Sequence, residues 1–208
     1  MTRPKYKDSV FINVPFDSEY RPLLHAIVFA IYDCGFVARS ALETDDSGQA
    51  RILKLYELIA GSKYGIHDIS RTELDRASRL PRFNMPLELG VFLGAKQFGA
   101  RRHRTKRALI LDRLRYRYQR FCSDIAGQDI RAHNGTQRTV IRCVREWLRA
   151  SPDTASEILP GARHMDRRYR AFRRQLPALC SRVNLDVDAL TFVDYAILVT
   201  VWLRKNPR

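Results

Sequence analysis

The chain contains no run of about 18 uncharged apolar residues. The best candidate, residues 189–203, is too short to span a bilayer and is interrupted by Asp194, so a soluble protein is expected. The start, MTRPKYKDSV, lacks the apolar core of a signal peptide and Val10 already opens a strand, which makes the cytoplasm the expected compartment. Cysteine is sparse. Cys34, Cys122, Cys143 and Cys180 stand far apart without metal-ligand spacing, so isolated reduced thiols and no metal site are expected. No glycine-rich phosphate loop follows the first strand, where Val14-Pro15-Phe16-Asp17 stands instead, and this argues against dinucleotide dehydrogenases and P-loop enzymes. Zinc motifs, a Gly-x-Ser-x-Gly elbow, kinase signatures, internal repeats and low-complexity segments are missing as well.

Acidic residues are scarce in one half only. Residues 1–100 carry 13 Lys and Arg against 12 Asp and Glu, while residues 101–208 carry the remaining 24 against 10, so nearly all of the net charge of +15 lies in the second half. A balanced half suits a small-molecule site. A half this basic attracts nucleic acid, an acidic protein surface or a phosphorylated ligand, or serves solubility alone.

Alternating β-rich and helix-periodic segments run through the first half. Residues 9–16 form a short β-rich run stopped by Pro15. A helix capped by Asp17 or Ser18 follows to about Asp33, with Gly35 marking its end. Residues 36–42 read as a second strand. The turn cluster 45–48 leads to a helix over residues 49–60, residues 63–70 (KYGIHDIS) form a third strand, and a charged connection covers 71–82. A further helix then ends near Gly99, and residues 108–112 (ALILD) form the fourth strand. This order predicts an α/β fold, a flavodoxin-like parallel sheet covered by helices on both faces over residues 8–150. Residues 151–208 read as a basic C-terminal helical extension packed on that core. Its last helix, 189–203, is expected to be capped by Asp188.

Ligands of such sheets bind beyond the carboxyl ends of the strands. The chain ends that meet there carry Phe16, Asp17, Arg39, Ser40, Glu43, His67, Asp68, Ser70 and Asp112. Beside them stands FNMPLELG (residues 83–90), which places Glu88 in the first turn of a helix capped by Asn84 or Met85, with Pro86 in that turn. A glutamate there is a capping-box or dipole residue, or it is a carboxylate facing a sugar, able to stabilise an oxocarbenium-like transition state. Gly90 and Gly94 suggest close approach of this helix to the sheet or a ligand. His67 with Asp68 suits an acid/base pair or hydrogen bonds to a ribose, or a structural role. Ser70 and Arg71 suit a phosphate or a cap, and Arg39, Glu43 and Arg51 the site or solvated ion pairs. Asp124, Gln128, Asp129 and His133 read as a network tying the tail to the core. Arg142, Arg145, Arg167 and Arg170 are the candidates for a nucleic-acid or acidic partner.

VFINVPFD at the first strand, YGIHDISR at the third and FNMPLELG at the following helix occur in the order and at the intervals of the bacterial TIR-like branch that includes nucleoside 2-deoxyribosyltransferase-like proteins. The chain resembles that superfamily over roughly residues 8–150. The resemblance implies a flavodoxin-like sheet binding NAD or a nucleoside as substrate, with no separate cofactor. Glu88 would be the catalytic glutamate, Phe16 and Asp17 the loop lining the base or ribose pocket, and Asp68 the strand-three acid. It further implies an N-glycosidase acting on NAD or a related nucleotide, self-association into a homo-oligomer that completes the pocket, and a setting in prokaryotic antiphage defence. The alternative is a non-catalytic nucleotide-sensing module whose basic tail binds nucleic acid or an acidic partner.

Overall fold

The structure is a computed structural model that describes residues 4–43, 46–72, 83–156 and 158–208. Most of the charged connection (residues 73–82) and Asp45 of the turn cluster lie outside the described residues.

Five parallel strands are described: β1 (Ser9–Asn13), β2 (Val37–Arg39), β3 (Tyr64–Asp68), β4 (Arg107–Asp112) and β5 (Arg131–Ala132), in the flavodoxin-like order β2-β1-β3-β4-β5. The two-residue β5 carries no period a sequence window can detect, and only four strands were legible beforehand. Between them run α1 (Arg21–Asp33), α2 (Arg51–Ala60) and α3 (Asn84–Phe98); α4 (Gln137–Arg149), α5 (Ala162–Ser181) and α6 (Phe192–Lys205) follow. No helix among the described residues is long and apolar enough to cross a membrane.

Strand alternation assigns the layers. Val10, Ile12, Tyr64, Ile66, Leu109 and Leu111 face α1 and α4 in the main core, which continues through α5 and α6. Phe11 faces the other way, toward Leu55, Leu58 and Ile59 of α2 and Phe92 of α3. From Ala26 to Ile31, α1 is 0% exposed at every position, because the sheet covers one side and α4, α5 and α6 cover the others. A helix apolar all round has no other stable place. Gly65 of β3 is where the backbone must be bare, since a Cβ there would stand 2.7 Å from both the His67 Nε2 and the Phe92 ring.

Two expectations are corrected. Gly90 and Gly94 do not mark close approach to the sheet, since among the described residues a Cβ on either meets nothing within 4 Å. The buried residues of α3 are Met85, Leu89 and Phe92, and its Leu87 points outward at 58% exposure. Asp188 does not cap α6. Thr191 does, in a reciprocal capping box with Asp194, the residue that interrupts the apolar run.

Candidate functional site

A cavity of about 770 Å³ opens at the carboxyl ends of β1 and β2. Phe16 and Asp17 from the loop after β1 form one wall, Arg21 and His25 of α1 the floor, Arg51 and Lys54 of α2 the far wall, and Thr191 with Tyr195 of α6 close it. Its size lies within the roughly 300–1,000 Å³ of small-molecule sites. His25 stacks on Tyr195 with ring centroids 3.8 Å apart. Burial, with Arg21 and Arg173 near, pulls the His25 imidazole down to about 4, so it is neutral at physiological pH. Three cationic side chains, an exposed Phe16 and the Asp17 and Asp46 carboxylates give the wall the chemistry to hold a phosphorylated ligand with an aromatic base.

Glu88 is not one of the wall residues, but it lies within electrostatic reach of Arg51, which is. The helix begins at Asn84 with Phe83 at its cap, so Glu88 sits just beyond the first turn and makes no cap. The dipole contribution that favours a carboxylate fades beyond the first turn. Desolvation therefore dominates and pushes the half-buried Glu88 carboxyl up from 4.5 to about 7, against the opposing pull of Arg51.

His67 and Asp68 are both sealed from solvent at 0% exposure, and neither lines the cavity. They point to opposite faces of the sheet. The His67 Nδ1 accepts from the Asn13 amide at 3.1 Å, and that amide also donates to the Met85 carbonyl at 2.9 Å. The His67 ring lies against Phe92 with centroids 4.8 Å apart, its Nε2 has no hydrogen-bond partner, and burial pulls it down to about 3. A histidine held neutral and enclosed in this way fixes the start of α3 and does not exchange protons with a ligand.

Asp68 accepts hydrogen bonds from two groups and has a third beside it. The Tyr20 hydroxyl donates to its Oδ2, the Ser70 N–H donates to Oδ1 at 2.8 Å, and the His133 Nε2 stands 3.1 Å from Oδ2. His133 Nδ1 accepts the Gly135 N–H at 2.9 Å, and its Nε2, close to the carboxylate, makes no well-aligned hydrogen bond. Burial beside Asp68 pushes the Tyr20 phenol well above its usual range. Asp68→Ala, which leaves the buried Tyr20 hydroxyl and Ser70 amide without an acceptor, is expected to lose about 3 kcal/mol in urea unfolding. A loss under about 0.5 kcal/mol, the size of an ordinary surface change, would refute a structural role for this cluster.

The other candidates separate. Arg39 does not reach the cavity: its Nε binds both Glu43 carboxylate oxygens at 2.9 Å, over a different hollow. Ser70 is buried with its backbone N–H on Asp68, Met85 is buried and Asn84 is exposed at the start of α3. Asp112 is buried and held by Arg117. Asp17 accepts from the Tyr20 N–H at 2.9 Å and pairs with Arg71 at 3.1 Å, which leaves it at the cavity wall but already engaged. Of the basic tail residues, Arg145 is not a surface contact, since it donates to the Pro160 and Leu159 carbonyls, and Arg170 pairs with Asp166. Arg142 and Arg167 are exposed. The contributions of Tyr20, Asn13 and α6 had no signal in the sequence, because each depends on partners far along the chain. Among the described residues no group of three or more His, Cys, Asp or Glu is placed to hold a metal ion.

No protein-family model, no curated protein and no solved structure matches the chain.

Proposed function

We propose that the protein cleaves the N-glycosidic bond of NAD or a related nucleotide, with Glu88 as the catalytic carboxylate. The observation that carries this reading is a half-buried carboxyl raised to about 7 within electrostatic reach of Arg51, a wall residue of the cavity at the carboxyl ends of the parallel sheet. In the reaction the bond from ribose C1′ to the nicotinamide nitrogen breaks and its electron pair leaves with the ring, which departs neutral and needs no general acid. The ionised Glu88 stabilises the oxocarbenium-like sugar. Water adds at C1′ and loses a proton, giving nicotinamide and ADP-ribose. Phe16 stacks on a base, Asp17 holds a hydroxyl and Arg51 holds phosphate. The outward row of Leu87, Gly90, Gly94 and Phe98 on α3 supports self-association as part of the same reading. Antiphage defence is the setting it implies.

The test is nicotinamide release by the concentrated protein, with adenosine and deoxynucleosides as parallel substrates. Because the working form is the carboxylate, turnover is expected to rise with pH through about 7 and then level off. A rate that falls above pH 7 would mean that the protonated acid is the working form. The absence of turnover on every substrate would exclude the reading.

A second reading, nucleotide sensing with nucleic acid bound by the tail, is favoured by Arg163, Arg167 and Arg174, exposed along α5 and without an acidic partner among the described residues. Binding of that kind weakens steeply with added salt and survives Glu88→Gln.

A further inference from the structure

β4 is paired along only part of its outer edge. The Arg107 N–H donates to the Lys63 carbonyl at 3.0 Å, and the Ile69 N–H donates to the Leu111 carbonyl at 2.9 Å, so Arg107, Leu109 and Leu111 turn their peptide groups toward β3. In a parallel ladder the intervening residues turn theirs the other way. On that outer side β5 covers only Leu111 and Asp112, and the chain leaves the sheet after the His133 N–H donates to the Asp112 carbonyl at 3.0 Å. Among the described residues, the N–H and C=O of Ala108 and the N–H of Ile110 face no strand.

What they face is a groove of about 880 Å³, the space a further strand would fill. Ala108, Leu109 and Ile110 form one side and Trp147 lies opposite. Its rim is basic. Lys96, Arg104 and Arg107 have no acidic partner among the described residues, whereas Lys63 is taken by Asp153 at 2.6 Å and Lys106 by the Ile59 and Ser62 carbonyls. The one carboxylate on the wall, Asp129, stands 4.0 Å from Arg131.

We propose that this open edge takes up an acidic, extended peptide segment of a partner protein, which adds as a strand beside Ala108 and Ile110 and places its carboxylates on Lys96, Arg104 and Arg107. The alternation of donors and acceptors along the edge matches a peptide backbone, which offers both, and mismatches a phosphate chain, whose oxygens would meet the Ala108 carbonyl. A second copy of the chain is disfavoured because two such edges would bring like charges together, the usual device by which edges avoid pairing with themselves. The site is independent of the cavity beside Glu88, since it borders the first half of β4 and not the carboxyl ends of β1 and β2.

The experiment is fluorescence anisotropy of the full chain with a labelled peptide of about seven residues that alternates glutamate with valine, long enough to form a strand. Two further versions are N-methylated on every second amide, in one register and in the other. Saturable binding at low salt is expected. Methylation in one register should weaken it about tenfold or more while the other register binds like the parent, because only one edge of the peptide meets β4. Ala108→Pro, which removes an outward N–H that an edge strand can do without, should weaken binding by a similar factor, as should Arg104→Glu with Arg107→Glu. If Ala108→Pro fails to fold, the methylated peptides still decide. Absence of saturable binding up to about 1 mM overturns the proposal. So does equal binding of all three peptides, which would reduce the groove to simple charge attraction. Displacement of the peptide by oligothymidylate, with the same loss in Ala108→Pro, would assign the groove to nucleic acid. A dimer by sedimentation that Arg104→Glu disperses would assign it to a second copy.

Discussion

Glu88→Gln is expected to abolish nicotinamide release, by about 1,000-fold or more, and at the same time to make the protein more stable above pH 7. Both effects arise from one physical fact, the removal of a carboxylate from water without a full compensating partner. The folded-state value of about 7 lies above the ordinary 4.5, so between those two pH values the folded chain holds a proton that the unfolded chain has lost. Wild-type stability therefore declines as pH rises through that window and stays lower above it, by on the order of 2 kcal/mol. Glutamine cannot ionise, so its stability lacks this slope, and the gain over wild type should be near zero at pH 4 and largest at pH 8. The nicotinamide assay checks the loss of activity, and urea unfolding at the two pH values checks the gain in stability. Full activity in Glu88→Gln would remove Glu88 from the chemistry. Equal stability of the two proteins at pH 8 would refute its desolvation.

The second large effect is expected at the junction of the tail with the core. Arg168 of α5 donates to Asp33 at the end of α1 at 3.2 Å, and to the carbonyls of Pro207 and Asn206 at 3.1 and 2.8 Å, with its guanidinium 5.5 Å from the Trp202 ring. Asp33 is 2% exposed, and burial raises its carboxyl despite the lowering effect of Arg168 and Arg208. Arg168→Ala leaves that carboxylate buried without its main partner and is expected to cost about 3–5 kcal/mol, a fall in Tm of about 10 °C. The loss should shrink at acidic pH, where Asp33 is protonated, and Asp33→Asn in the same chain should recover about half of it. A thermal scan showing less than about 2 °C of change would refute a fastening role for this pair.

The sequence singled out Glu88, and it placed His67 and Asp68 together at the end of the third strand, either reaching a ligand or serving the structure. Adjacent positions on a strand face opposite sides, so one sequence motif was divided between two layers: His67 toward α3, Asp68 toward Tyr20 and His133. The glycines divide for a related reason. Gly65, inside a strand, supports a close approach, whereas Gly90 and Gly94 do not approach the sheet among the described residues, and composition cannot distinguish the two cases. A basic stripe read from spacing likewise mixed exposed Arg142, Arg167 and Arg170, the last paired with Asp166 on its own helix, with Arg145, which is held by the Leu159 and Pro160 carbonyls.

What the sequence determined by itself was the succession of elements, and through it the parallel α/β sheet with helices on both faces, because strand and helix periods are local and α1 is too apolar to lie at a surface. It also located Glu88 on the helix after β3. The tertiary structure alone decided that Glu88 stands beyond the first turn where desolvation dominates, that α6 closes the cavity, that Asp68 and His133 meet, and that part of the outer edge of β4 has no partner strand among the described residues. These depend on contacts between residues far apart in the chain, and on how much water the packing of whole layers excludes, and no local period encodes either.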